Sequence, residues 1–152
     1  MQQNDKMDNS HEQYMKRCIL LGSKAKLSGC AAVGSVVALN GEVIAEGMEG
    51  EPGFPGPIAH AEMVAILKAI QHLGSKDLGH CILYSTKEPC IMCSWLIRQT
   101  GVKQVVFAQP AGEIGGVGSI FPILTTPEIK KWPSPPLVVV GILKEECNQI
   151  LN

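Results

Sequence analysis

His60-Ala61-Glu62 and, twenty-seven residues beyond that glutamate, Pro89-Cys90-Ile91-Met92-Cys93 are the stretches around which the chain falls into order. One imidazole and two thiolates give a zinc ion three good ligands and leave the fourth tetrahedral position open for water. A structural site closes that position with a further Cys or His; a catalytic site keeps it free. Glu62 stands two residues past the histidine. From there it reaches the protons of a water on the metal without itself binding the ion. His60, Cys90 and Cys93 are therefore the expected metal ligands and Glu62 the expected catalytic proton carrier.

Working outward, Ala59 to Leu73 contains neither Gly nor Pro, and Met63, Ile66, Leu67 and Ile70 recur on one helical face. His60 and Glu62 are thus predicted in the first turn of a helix, where unpaired N–H groups and the helix dipole favour an anionic centre. Pro89 suits the first turn of a second helix, because the N–H it lacks would be orphaned there anyway. Cys90 and Cys93 then share one face, and Gly101 is the expected stop. Cys81–Tyr84 reads as a short strand, with Ser85-Thr86-Lys87-Glu88 as the loop into that second helix.

Upstream, Tyr14, Cys18, Leu21 and Ala25 predict a helix from Ser10, its N-cap, to about Leu27, with Gly29 as its stop. Residues 1–9 read as a disordered polar tail. Ala31 to Leu39 is a nearly continuous apolar run, as in a strand buried on both faces. Asn40-Gly41 is a strong hairpin signal, returning along Glu42 to Ala45. The stretch GMEGEPGFPGP, 47–57, is a loop. Beyond Gly101 come a strand at Val102 to Ala108 and a Gly-rich connector, 109–118. A short helix capped by Thr125 or Thr126 follows, then a strand from Leu137 to Ile142. The last expected element is an amphipathic helix, Leu143–Leu151, with Cys147 and Ile150 inward. The alternation predicts an α/β sandwich, a mixed sheet between helical layers, forming a single domain over 10–152. A helix-containing crossover of this length favours parallel pairing of the last two strands.

Composition narrows the function classes. With 45% hydrophobic residues in 152, the chain can bury a proper core, and its formal net charge of -1 supplies no broad cationic field for a phosphate backbone. No stretch approaches the roughly 18 apolar residues that span a bilayer. Residues 1–17 contain no apolar run of a secretory signal, so the expected location is cytoplasmic. Cys18, Cys30, Cys81 and Cys147 then read as free thiols in a reducing compartment. A zinc ribbon would need a second C-x-x-C, which is absent, and a thioredoxin-like site would leave the H-x-E without a purpose. His11, His72 and His80 read as surface or turn histidines. Lys130-Lys131 is too small for a nucleic-acid patch.

Residues well beyond the two motifs carry a resemblance. Gly41 to Gly47, Ala59-His60-Ala61-Glu62, Glu88 to Cys93, Val105 to Phe107, Gly118-Ser119 and Gly141 to Cys147 together resemble the cytidine deaminase-like superfamily. The closest likeness is to its branch of tRNA adenosine, guanine and cytosine deaminases. That resemblance implies a three-layer α/β/α sandwich with a five-stranded mixed sheet ordered 2-1-3-4-5, one zinc per subunit, and a homodimer. It implies hydrolytic deamination of a guanine-, cytosine- or adenine-type base or nucleoside, with Glu62 shuttling protons and the N–H of Ala61 helping to hold the base. Relatives carry Asn where this chain has Glu49. A carboxylate accepts hydrogen bonds and donates none, so Glu49 either meets a donor-rich base, such as an aminopurine, or points to solvent. Phe107 is a further candidate for substrate contact or for the core. Trp95, where many relatives are small, is read as packing in the core or a dimer interface. The tRNA-editing relatives tend to carry a basic C-terminal extension, which Asn148 to Asn152 does not resemble. A small-molecule substrate is therefore the first expectation, a tRNA adenosine substrate the second, and a zinc-containing binding protein without activity the third.

Overall fold

The Asn40-Gly41 turn forms as the sequence predicts: both residues take positive φ, 52° and 83°, the backbone that a two-residue turn matched to strand twist demands. It joins β1, Gly34–Leu39, to β2, Glu42–Met48, as an antiparallel pair. In the computed structural model, which describes residues 2–151 and the side chains from 10 onward, these two strands form one edge of a five-stranded sheet ordered 2-1-3-4-5. The remaining strands are β3, Ile82–Lys87, β4, Gln104–Gln109, and β5, Leu137–Val140. β1 runs antiparallel to β3, while β3, β4 and β5 are mutually parallel, the last pair as expected.

Strand alternation explains the layers. Val37, Leu83, Val105 and Phe107 face a core shared with α2, Ala61–Leu73, and α3, Ile91–Thr100. Val36, Tyr84, Val106 and Ala108 face the opposite core, filled by Tyr14, Met15 and Cys18 of α1, Gln2–Leu27, and by Cys147 of α4, Lys144–Leu151. Successive strand residues point to opposite faces, so runs of apolar residues in central strands are needed on both. That gives the three-layer sandwich.

Five local expectations need correction. The first helix reaches back to Gln2, eight residues before Ser10, because 2–9 hold no Gly or Pro to stop it. The expected disorder of 1–9 concerns residues whose side chains lie outside the described set. β3 continues through Ser85, Thr86 and Lys87, which were expected to be loop. Ser85 and Thr86 are polar but fully buried, and their hydroxyls are bonded: Ser85 Oγ donates to Glu62, and Thr86 Oγ1 donates to the Ala32 carbonyl. Pro89 lies outside α3, whose N-cap is Cys90. No helix forms between 119 and 132; turns take its place, and Thr126 Oγ1 accepts the N–H of Glu128 in a local turn. His11 is buried, with Nδ1 2.9 Å from the Tyr84 hydroxyl, and is not a surface histidine.

Candidate metal centre and cleft

The three parallel strands end where β2 also ends and β1 begins, so five chain segments meet at one end of the sheet. Gly47, near the end of β2, lets α2 approach: a Cβ there would come 2.4 Å from the Ala61 carbonyl oxygen. Two helices start at this end. His60 is the N-cap of α2, with extended backbone, and Cys90 is the N-cap of α3, its sulfur accepting the N–H of Cys93. Both helices open their N-termini toward the same point, placing orphan N–H groups around a site where negative charge gathers.

The three expected ligands converge. His60 Nδ1 lies 3.4 Å from Cys90 Sγ and 3.6 Å from Cys93 Sγ. A tetrahedral zinc, with Zn–S about 2.3 Å and Zn–N about 2.0–2.1 Å, sets nitrogen and sulfur about 3.6 Å apart. The donor set therefore fits the ion in spacing as well as in type. Among the described residues no other group of three such side chains converges in this way. The hydrogen bond between the two thiols, with His60 alongside, holds Cys90 down at about 5, while Cys93, its buried partner in that bond, is pushed up. Replacing the shared proton with a cation satisfies both sulfurs, since metal binding takes thiolates.

Glu62 sits behind this triangle. It is 4% exposed, accepts a 2.7 Å hydrogen bond from Ser85 Oγ, and brings Oε2 within 3.9 Å of Cys93 Sγ. Burial pushes its carboxyl up to about 7, against the opposing pull of the Ser85 hydroxyl. A carboxyl poised near neutrality can both take and return a proton.

A cleft of about 220 Å³ opens over His60, Glu62 and Cys90, walled by Ala31, Val33, Glu49, Lys87, Glu88, Ala111 and Ile114. It is below the roughly 300–1,000 Å³ of pockets for drug-sized ligands, and so suited to a single ring. Two of the expected substrate contacts meet each other: Glu49 Oε2 accepts the Ala61 N–H at 3.3 Å. Glu49 lines the cleft and does not turn out to solvent. Burial raises its carboxyl above the ordinary range, with His60 and the Ala61 N–H pulling the other way. Phe107 is 2% exposed in the core with α2 and α3 and is absent from the cleft walls. It fills the core because its strand alternation sends it to the helix face. Trp95 is 51% exposed and belongs to neither cleft nor core.

Sequence reasoning passed over three buried polar side chains, two at the site and one behind it. Ser85 holds Glu62, as above. Glu88 accepts N–H groups from Ala111, Val117 and Gly118, fastening the Gly-rich connector as a wall of the cleft. Gly115 makes room for it, since a Cβ there would strike the Glu88 carboxylate. Arg98, 2% exposed, donates to the carbonyls of Ile123, Thr126 and Pro133 and lies under Trp132. A glutamate directly before Pro-Cys, followed by a Gly-Gly pair twenty-seven residues later, was the available signal for the Glu88 ties.

Known proteins agree with this geometry. Residues 8–109 match the family described as the cytidine and deoxycytidylate deaminase zinc-binding region. A tRNA-specific adenosine deaminase of Aquifex aeolicus (strain VF5) is 34% identical over 144 residues, covering 93% of this chain and 91% of its own. A guanine deaminase of Bacillus subtilis (strain 168) is 38% identical over 100 residues, covering 65% and 64%. A structure from a study of A-to-I editing by tRNA:A34 deaminases at the wobble position of transfer RNA superposes with a TM-score of 0.83 at 27% identity, over 91% of this chain and 99% of that one. The matched region contains His60, Cys90 and Cys93, positioned as possible zinc ligands; the chain belongs to this zinc-binding deaminase family and is a hydrolytic deaminase of the nucleobase and nucleoside class.

Proposed function

We propose that the protein removes the amine from a small aminated ring, a free base or nucleoside, seated in the cleft over His60, Cys90 and Cys93. The observation that carries the reaction type is the buried Glu62 carboxyl beside the three converging ligands, poised at about 7. A zinc ion held by those ligands supplies water activated near neutral pH. Glu62 takes one proton from the attacking water and passes it to a ring nitrogen. The ring carbon gains the oxygen and becomes tetrahedral, and Glu62 carries the second proton to the amine. The C–N bond breaks, the C=O bond forms, and ammonia leaves. Ser85 keeps Glu62 turned toward the ring, and the wall tied down by Glu88 closes one side of the cleft.

A small ring fits the cleft's size and its lack of positive charge: Lys87 is the single basic residue among its walls. The names of the relatives favour a second reading, adenosine presented within a tRNA loop. The two separate in one experiment. The zinc-loaded protein is assayed for ammonia release from guanine, cytosine, adenine, their nucleosides, aminotriazines and a tRNA anticodon stem-loop, with Glu62→Ala as control. Glu62-dependent turnover of a small molecule supports the proposal. Turnover of the stem-loop alone, with steeply salt-dependent binding, replaces it with the second reading. A zinc-loaded protein inert on every member defeats both.

The same reading takes the protein as a homodimer. Its support is an apolar patch of Ile114, Ile120 and Phe121 bordering the cleft, each more than half exposed. Sedimentation equilibrium at micromolar concentration checks it: a monomer there ends the idea.

A further inference from the structure

Glu49 is held where a ring must pass, and only half of its carboxylate is used. Its backbone is fixed on both sides: Glu49 N–H donates to the Val33 carbonyl at 3.0 Å and Gly50 N–H to that of Ala59 at 2.8 Å. The side chain lines the cleft. Oε2 takes the Ala61 N–H, while Oε1 has no hydrogen-bond partner among the described residues. Neither ion pair among the described residues, Arg17 with Glu46 and Lys68 with Glu51, involves it. An ionised carboxylate oxygen that opens on the cleft accepts from whatever donor a ring brings there, because it has no proton to give.

We infer that Glu49 is the specificity residue of this cleft: its free oxygen takes an N–H that stays on the substrate ring, so the site prefers diamino or lactam-type aminated rings over monoamino ones. This deepens the function proposed above and rests on it for the identity of the cleft. The chemistry follows from pairing. 2,6-Diaminopurine keeps one amino group when the other leaves, and guanine keeps the lactam N–H beside its amine. Adenine and 2-aminopurine present a bare ring nitrogen or C–H at the corresponding edges, and a lone pair turned to a carboxylate is repelled. A site built around a buried polar group rejects a ligand that leaves it unpaired far more strongly than one that merely lacks a methylene.

Two matched pairs read this out: 2,6-diaminopurine against adenine, and guanine against 2-aminopurine. Binding is measured by calorimetry on zinc-loaded Glu62→Ala protein, which holds a ring without turning it over, with and without Glu49→Gln. Zinc content and Tm are checked for each protein, and Glu49→Ala serves as a second variant. The expected result is a preference of at least about 10-fold in Kd for the donor-bearing member of each pair. It should shrink by roughly 10-fold when the charge is removed, as for a hydrogen bond to an ionised group. Equal binding within both pairs, or a preference that survives both Glu49 substitutions, overturns the inference. Ammonia release by the protein with Glu62 intact is scored separately, so absent turnover counts against the proposed function while the binding ratios still decide what Glu49 selects.

Discussion

At the scale of single residues the proposed reaction turns on Glu62, and burial is what suits it to that role. An exposed carboxyl would be almost wholly ionised at neutral pH; this one is raised to about 7 and held by Ser85. Glu62→Gln keeps the shape and removes the proton traffic. Its kcat should fall by roughly 10²–10⁴-fold, the usual worth of a positioned acid–base group, with zinc content and Tm unchanged. A loss of zinc in parallel with activity would make Glu62 a structural residue. Ser85→Ala leaves the carboxyl in place but lets it turn. The expected loss in kcat is smaller, about 10-fold, in line with one hydrogen bond to an ionised group, and KM should barely move. The grouping of His60, Cys90 and Cys93 was legible because metal chemistry restricts both residue type and spacing. Ser85 was not: a serine followed by Thr-Lys-Glu looks like a turn, and only the sheet register shows that its hydroxyl points at Glu62.

At the scale of elements, the hairpin, the order of helices and strands and the stop of α3 followed from the sequence because each has a local cause, whereas α1 starts earlier and β3 runs longer than their local signals suggest. Asn40-Gly41 makes its turn by backbone preference, and Gly101, in left-handed conformation, ends α3 as its position suggested. The stretch from 110 to 136 had no such cause to read. Its shape is imposed from elsewhere, by two buried side chains that satisfy its backbone: Glu88 gathers three of its N–H groups and Arg98 three of its carbonyls. Neither tie has a sequence period, and the expected helix near Thr125 failed because Arg98 takes the carbonyls of Ile123 and Thr126 instead. Glu88→Ala leaves three amide groups without their acceptor, so stability should drop by about 2–3 kcal/mol in urea unfolding. The cleft wall should loosen too, raising KM several-fold while kcat changes less. A variant whose KM stays put would show that Ala111 and Ile114 hold their places without Glu88. Arg98→Met removes the carbonyl ties at a distance from the cleft. It should cost a similar amount of stability, with KM following only if the wall depends on the segment beyond it.

Over the whole molecule, the three candidate ligands gather at one end of the sheet, Cys93 fully buried and His60 and Cys90 partly exposed, and none belongs to the two apolar clusters on either side of the sheet. A small zinc domain unfolds without its ion because the site is most of its core; here the ion stabilises a native state that already buries Val36, Val37, Leu83 and Val106 completely. Chelation should therefore lower Tm by ligand linkage alone and leave a cooperative unfolding transition. The cysteines report this position by position. Cys18, Cys81 and Cys147 are buried, and burial raises all three thiols, Cys147 to about 12. The thiolate is the reactive form, so these should label only on unfolding. Cys30 is partly exposed and should react first in the zinc-loaded protein. Treatment with a chelator should then release Cys90, also partly exposed, as the next site of alkylation, read by peptide mass spectrometry. If chelation instead opens Cys18 or Cys147, on the far side of the sheet from the ligands, the ion is holding the core together. The division between a self-sufficient sandwich and a metal centre built on its edge would then be wrong.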